Sequence, residues 1–325
     1  MARACTLPTS AGAVPLRLRR AAACVLLCAC AFTMPALAQE RMSLDVEKLI
    51  TELRHPLAAV RNAAAETLAA TKNPAVVAAL TRALQDGDSK VRMLAASVLG
   101  KIGDSTAVPA LIATLRDDDW NVRDAAVMSL GRLQAAEAVV PLIRQLHDEH
   151  WLVQRGAAWA LGQIGSPAVG PLLIALQDND WKVRRTAAWA LGGTMAPEAV
   201  AALVAALRDP SPEVTSPAAQ ALTVIGPPSV VPLIAALKDR EHKVREFAAW
   251  ALGEIRDRRA LEPLTTVSKN DANREVRNGQ RRLSGRSNRA ALGRPGASSP
   301  KRAGEPANPA ARPHVRCVTL TSEGP

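Results

Sequence analysis

A valine recurs at a nearly constant spacing along most of this 325-residue chain, and the recurrence constrains the fold more than any other feature. Successive valines are 31, 31, 31, 30, 31, 30 and 32 residues apart. A fixed period of this length indicates stacked copies of one supersecondary unit, because a single unit cannot bury its apolar face alone. We number the units 1 to 8 by their valines, which are Val60, Val91, Val122, Val153, Val183, Val214, Val244 and Val276.

The residues that follow each valine have the period of a helix. Apolar residues recur four, five, eight and usually eleven positions later, as in Val122, Ala126, Val127, Leu130 and Leu133. Position +4 is alanine in seven of the eight units, and such small side chains let helix backbones approach closely. Position +9 is glycine in units 2, 3, 4, 5 and 7, near where we expect the helix to end.

A second apolar pattern precedes each valine, with leucine at positions −11 and −7 in units 2 to 7. It predicts a first helix in every unit. Proline falls within this helix at Pro109, Pro141, Pro171 and Pro232, so the helix is expected to kink or to begin late. The chain therefore predicts an all-α superhelix, a solenoid of about eight helix pairs over residues 39–283.

An Asp and an Arg six positions apart recur around the valine. Asp stands at −5 in seven units and Arg at +1 in six. The Asp falls in the turn between the helices, where a carboxylate can accept backbone N–H groups. The Arg can pair with this Asp or with the Asp of the next unit. We interpret the series as an inter-repeat ladder rather than as a ligand site, because stacked units share interfaces only with their neighbours.

These residues carry a family resemblance. The Asp–Arg pair and the Ala-Ala-x-Ala-Leu-Gly run make residues 44–283 similar to the HEAT-like repeats named after phycobilisome lyases. The resemblance implies that the second helices line a concave binding surface. Units 1 and 8 depart from the pattern and resemble end caps. Unit 4 has Gln154 and unit 6 has Thr215 in place of the Arg, and the three prolines of unit 6 predict an irregular joint.

The six tryptophans occupy only two positions of the second helix, −2 and +6. At about 100° per residue, positions −2, +2 and +6 lie opposite the core positions. Exposed tryptophan with arginine is typical of binding hot spots; the alternative is that the rings lean onto the adjacent helix. The predicted partner-binding surface comprises Trp120, Asp124, Met128, Trp151, Arg155, Trp159, Trp181, Arg185, Trp189, His242, Glu246 and Trp250.

The first 38 residues have the features of a signal peptide: an Arg-rich start, an apolar run over 21–34 and a small-x-small site ending at Ala38. Alternatives are an uncleaved membrane anchor and lipidation at Cys30. We expect export to the periplasm or beyond. Only Cys317 of the five cysteines lies after this segment, so the mature chain cannot form an internal disulfide.

Residues 284–325 have the composition of a disordered basic tail, which could touch an anionic lipid or polymer or have no role. Residues 39–283 carry 30 basic and 28 acidic side chains. This balance lacks the basic footprint of a nucleic-acid-binding domain. We therefore expect a protein or peptide partner, with membrane contact only through the tail or an uncleaved signal.

Signals of catalysis are sparse in this sequence. It has no phosphate-binding glycine loop and no cysteine-based metal site, and the His/carboxylate cluster at residues 147–150 has weak spacing for a metal. It also lacks the His-Glu dipeptides of deoxyhypusine hydroxylases, which are HEAT-repeat enzymes. We predict a non-catalytic binding scaffold without cofactor or metal. The alternatives are a lyase-like or hydroxylase-like protein that handles a cofactor or metal, and a structural element of an envelope complex.

Overall fold

The computed structural model describes residues 45–278 except Lys72, and these form sixteen helices in eight consecutive pairs. The first helices of the pairs are α1 (45–52), α3 (Pro74–Ala83), α5 (Val108–Thr114), α7 (Val139–Gln145), α9 (Ser166–Ala175), α11 (Val200–Ala206), α13 (Val230–Ala236) and α15 (Leu261–Asn270). The second helices are α2 (Ala58–Ala70), α4 (Ser89–Ile102), α6 (Trp120–Arg132), α8 (Trp151–Ile164), α10 (Trp181–Thr194), α12 (Pro212–Ile225), α14 (His242–Ile255) and α16 (Arg274–Asn278). The predicted all-α stack is confirmed.

The core lies between the helices of each pair and between neighbouring pairs. The repeat valines are buried from unit 2 to unit 8, and so are the alanines at +4 in units 1 to 7. The leucines at −11 and −7 are buried in units 2 to 7. Because these buried residues continue from unit to unit, one apolar cluster extends along the described stack.

Most first helices begin late, and the prediction from the prolines is confirmed for Pro109, Pro141 and Pro232 but not for Pro171, whose helix α9 begins at Ser166 without a preceding 3₁₀ turn. In five units a single turn of 3₁₀ helix precedes the α-helix, and four of those α-helices have only seven residues. Pro109 lies in the first turn of α5. Backbone N–H groups in the first turn have no hydrogen-bond partner within the helix, so the absence of this N–H in proline costs no hydrogen bond. Pro171 lies inside α9.

The glycines at +9 lie one or two residues before the end of the second helices, so they are near the helix end as expected. They do not cap the helices; in units 2 to 5 they lie where the next second helix approaches too closely for a Cβ to fit without displacement. A Cβ on Gly192 would lie 2.9 Å from Cα of Ala221, and one on Gly162 would lie 3.2 Å from Cα of Gly193. Consecutive second helices therefore pack backbone to backbone, while the first helices pack less closely.

In units 2 to 7 the backbone has a positive φ at position +12, one or two residues after the last residue of the second helix. In units 2, 3, 5 and 7 the residue with positive φ is Gly103, Gln134, Met195 and Arg256, respectively. One extended residue follows it before the next helix begins. In units 4 and 6 the connection is a single glycine: Gly165 has φ 78° and ψ −131°, and Gly226 has φ 77° and ψ −127°. The missing residue explains the two 30-residue spacings.

The Asp–Arg series forms the predicted inter-repeat ladder, and it settles which Asp each Arg meets. Nε and Nη2 of Arg92 donate to both carboxylate oxygens of Asp117, in the next unit, over 2.7 and 2.8 Å. Nη1 of Arg92 donates to the backbone oxygen of Asp86 in its own unit over 2.9 Å. The same bidentate pairs are Arg123–Asp148, Arg184–Asp209 and Arg245–Asp271.

Units 4 and 6 replace the ladder arginine and use another contact. The amide of Gln154 still donates to the backbone oxygen of Asp148, over 2.6 Å. The next unit's Asp is instead met by the residue at −6: His147 contacts Asp178 at 3.4 Å, and Arg208 pairs with Asp239. These are also the two units with single-glycine connections. Unit 6 nevertheless keeps a second helix of 14 residues with Pro217 inside it.

The predicted signal peptide, the basic tail and all five cysteines lie outside the described residues. Within 45–278, no single helix is long and apolar enough to cross a membrane. The pair Pro212–Ile225 and Pro227–Ala236 reaches that length and composition only together, with a bend of 117° between the two.

Candidate functional site

The structure divides the six tryptophans into two groups. Trp151 and Trp189 are 57% and 41% exposed, and Trp181 is half-buried. Trp120, Trp159 and Trp250 pack against the apolar core. For these three the prediction that the ring points away from the core is wrong, and the alternative of packing on a neighbour applies. The helical wheel places a ring relative to its own helix, but the neighbouring helices fill the space beside it.

Trp159 and Trp189 line one small cavity on the second helices. The cavity has a volume of about 190 Å³. We call it the indole pocket and define it by Ala158, Trp159, Gly162 and Gln163 of α8, Trp189, Gly192 and Gly193 of α10, and Gln220, Ala221 and Val224 of α12. Glycines form part of its wall because α8 and α10 approach backbone to backbone there. The lining is uncharged and mostly apolar.

Two arginines lie one helical turn before the tryptophans of the pocket. The guanidinium carbon of Arg155 lies 4.8 Å from the centre of the Trp151 ring, and that of Arg185 lies 5.2 Å from the Trp181 ring. Both distances are within cation–π range. The spacing of four residues predicted such contacts, and the structure places each cation over the earlier of its two rings.

In unit 3 the predicted residues pack against the start of α8. The Trp120 ring stacks on the His150 ring, with centroids 3.8 Å apart and planes 8° apart. Burial raises the pKa of the Asp124 carboxyl above its usual value, and the positive charges of Arg155 and His150 oppose this shift. Asp124 and Met128 both lie near Gly156. These side chains therefore belong to the α6–α8 contact.

The residues of unit 7 lie on α14, away from the indole pocket. His242 is exposed, and Glu246 and Trp250 are half-buried. Burial raises the pKa of Glu246, helped by the negative charge of Glu275 and opposed by His242 and Lys243. Gln220 and Val224 of unit 6 stand between these residues and Trp189.

The side chains of the 147–150 cluster have separate partners. His147 contacts Asp178, Asp148 holds Arg123, and His150 stacks on Trp120. Glu149 is exposed and lies 3.4 Å from Arg123. Among the residues described, no group of three or more His, Cys, Asp or Glu side chains could hold a metal ion.

The sequence profile of the family described as HEAT repeats matches residues 46–119, 108–177, 169–235 and 218–283. These matches together cover well over half of the chain. The chain is a HEAT-repeat protein. A comparison with curated proteins found no significant match.

Solved structures with the same repeat fold share low sequence identity with this HEAT-repeat protein. Human deoxyhypusine hydroxylase in complex with glycerol is 21% identical, covers 68% of this chain and 99% of its own, and has a TM-score of 0.32. The complex of CpcE and CpcF of phycocyanin lyase from Nostoc sp. PCC7120 is 27% identical over 73% and 94%, with a TM-score of 0.38. Importin beta is 18% identical over 73% and 40%, with a TM-score of 0.49.

Sequence reasoning missed the residues that shape the pocket of this HEAT-repeat protein. It did not single out the glycines at 162, 192 and 193 or the rim residues Gln163 and Val224 as part of a site. The adjacent glycines at 192 and 193 were the available signal. Glycine inside a helix destabilises it, so a pair of glycines there indicates that another backbone packs closely against the helix.

Proposed function

We propose that this HEAT-repeat protein is an exported, non-catalytic scaffold that binds a protein or peptide on its second helices, with one partner side chain in the indole pocket. The indole pocket is the observation that carries the proposal. Its walls are two tryptophans from adjacent repeats, and tryptophan is enriched among the residues that dominate binding energy.

The volume of the pocket favours a side chain over a small-molecule cofactor. Pockets that enclose drug-sized ligands measure about 300–1,000 Å³, whereas this one measures about 190 Å³. An apolar cavity of about 150 Å³ accepts a benzene ring. The space therefore suits one aliphatic or aromatic side chain.

The lining of the pocket supports a non-catalytic role. General acid–base catalysis needs a titratable side chain within hydrogen-bond reach of the substrate. The ten lining residues are alanine, glycine, valine, glutamine and tryptophan, and none of these titrates at ordinary pH.

The position of the pocket suits an extended partner. Second helices pack more closely than first helices, and the more closely spaced side of a stack is the inner side of its curve. A segment laid on that side contacts several repeats at once, which is how solenoids use their concave surfaces.

Partner recovery after cross-linking tests the proposal. We compare the wild type with Trp159→Ala/Trp189→Ala and with Ile174→Ala, a control at a side chain that is 77% exposed on α9. The pocket variant should lose its specific partner by about tenfold or more, as expected for hot-spot residues, while far-ultraviolet circular dichroism stays close to the wild type. Equal recovery from all three proteins would contradict the proposal. Trp189→Ala alone removes the ring that is 41% exposed and leaves the packed Trp159 ring in place, and it should also lose the partner with unchanged circular dichroism; full recovery with this variant would contradict the proposal.

Export is tested separately on the protein purified from its native host. N-terminal sequencing should begin at Gln39. An intact N-terminus, or a lipid attached to Cys30, would show that this segment anchors the protein in a membrane instead of being a cleaved signal peptide.

A further inference from the structure

The helices on either side of the indole pocket have an unbalanced charge. α8 contains one charged residue, Arg155, and α10 contains Lys182, Arg184 and Arg185 with no acidic residue. Arg184 is neutralised in the ladder by Asp209, over 2.7 and 2.9 Å. The charge left on these two helices is therefore positive.

Arg155 and Arg185 provide this positive charge beside the tryptophans. In the part of the chain that the structure describes, neither guanidinium has a carboxylate within 4.0 Å. Arg155 is exposed and Arg185 is half-buried. Each is held over an indole ring, which positions the cation while leaving its N–H donors available to a ligand.

The spacing between cation and pocket matches an extended peptide. Each guanidinium lies over the ring one turn before its own residue, whereas the pocket lies beside and beyond Trp159 and Trp189, so cation and pocket are separated by roughly two helical turns, about 11 Å. An extended chain advances about 3.3 Å per residue, so side chains four positions apart lie on one face about 13 Å apart. A carboxylate about four residues from an apolar side chain can thus reach an arginine while that side chain fills the pocket.

We propose that the indole pocket and its two arginines recognise an extended segment of a partner protein in which an apolar residue and an Asp or Glu are about four positions apart. The inference rests on the proposed function and adds the chemistry of the partner. Charge complementarity carries it: carboxylate and guanidinium form bidentate hydrogen bonds, and the acidic groups that offset these arginines, Asp124 of α6 near Arg155 and Glu213 of α12 near Arg185, interact with them only beyond 4.0 Å. Single-stranded nucleic acid also binds arginine and aromatic rings, but it requires a basic groove, and this domain has nearly as many acidic as basic groups.

A peptide selection tests both the proposed function and the acidic preference that is inferred here. A random heptapeptide display library is selected on the full chain and, in parallel, on Trp159→Ala/Trp189→Ala. Peptides enriched only on the wild type should contain an apolar residue with Asp or Glu about four positions away. Apolar peptides without an acidic preference would overturn this inference and leave the proposed function intact. Absence of any enrichment that depends on the tryptophans would overturn the proposed function itself.

Charge reversal then tests the arginines directly, with a fluorescein-labelled peptide from the selection in a polarisation assay. Arg155→Gln and Arg185→Gln should each weaken binding by about three- to tenfold, while Arg144→Gln, an exposed arginine on α7, should not. Arg185→Glu should lose the acidic peptide and regain affinity for its Glu→Lys counterpart. Equal binding of both peptides by wild type and Arg185→Glu overturns the proposal, as does displacement of the acidic peptide by an oligothymidylate.

Discussion

Trp159 lies over Gly131 of the preceding repeat so closely that a Cβ added to the glycine would stand 2.7 Å from Cζ3 of the indole ring. The same Cβ would lie 2.8 Å from Cα of Ala160. A wall of the indole pocket is therefore held in place by the backbone of the neighbouring second helix. The position of the ring depends on how the repeats stack, which links the geometry of the site to the stability of the solenoid.

Gly131→Ala should destabilise the protein by up to about 2 kcal/mol. Overpacking of a filled core costs about 1–3 kcal/mol, which exceeds the gain in helix propensity of about 1 kcal/mol. The measurement is urea unfolding followed by circular dichroism. Gly170→Ala in α9 is the matched control, because nothing lies within 4 Å of its added Cβ, and it should be neutral or stabilising. A Gly131→Ala variant as stable as Gly170→Ala would contradict the close approach.

Gly165 and Gly103 should differ in their tolerance of asparagine. Gly103 has φ 81° and ψ 18°, a left-handed conformation that asparagine adopts readily. Gly165 has φ 78° and ψ −131°, a region that is essentially restricted to glycine. Gly165→Asn should therefore cost about 1–3 kcal/mol, while Gly103→Asn costs a few tenths. Thermal unfolding of the two variants measures the difference. Equal melting temperatures would contradict the glycine-restricted backbone conformation at residue 165.

The ladder pair Arg92–Asp117 should show a coupling energy of about 1–2 kcal/mol in a double-mutant cycle with alanine, because it is bidentate and mostly buried. The exposed pair His147–Asp178, which has one 3.4 Å contact, serves as the comparison. We expect less than about 0.5 kcal/mol there. Similar coupling energies in both cycles would contradict a special contribution of the bidentate Arg–Asp pairs to the stability of the stack.

The ladder should also make the fold sensitive to acid. Burial by itself would raise the pKa values of the Asp117 and Asp209 carboxyls, but hydrogen bonds from Arg92 and Arg184 lower both below the usual value. The hydrogen bond from Arg245 likewise lowers the pKa of Asp271. Groups with a lowered folded pKa stabilise the protein above the unfolded value, about 3.9 for Asp, and this stability is lost as the pH falls through the folded pKa.

Urea unfolding at pH 7, 5 and 3 measures this loss. The wild type should lose stability mainly between pH 5 and pH 3, and Asp117→Asn/Asp209→Asn/Asp271→Asn should lose less over the same interval, although it starts from a lower value. Parallel decreases in the two proteins would assign acid sensitivity to other carboxylates.

The repeat and its core were predictable from the sequence because they depend on local periodicity. Val122 and Leu130 occupy positions where valine recurs in units 1 to 8 and leucine in units 1 to 7, and both are buried. The aspartate in the turn was predictable too, since its carboxylate accepts a backbone N–H only two residues away, as Asp117 does from Asp119. These predictions needed only the sequence of a single repeat unit and no information about how neighbouring units pack.

The features that sequence reasoning missed depend on contacts between units. Gly131 lies inside its helix, and its reason for being glycine is a residue 28 positions later, Trp159. The wheel of one helix gives the direction of Trp120 but not the position of His150, which covers its ring. The partner of each ladder arginine was likewise left open, because the choice between two aspartates depends on how the next repeat is placed.

Photo-cross-linking from the pocket rim tests the central claim most directly. A benzophenone amino acid replaces Val224 at the rim or Ile174 on the first-helix face, side chains that are 57% and 77% exposed. The account predicts that irradiation in the native host yields a cross-linked partner from position 224 and none from position 174, and that Trp159→Ala/Trp189→Ala abolishes the product. A partner cross-linked from position 174 alone, or a product from position 224 that survives loss of both tryptophans, would contradict it.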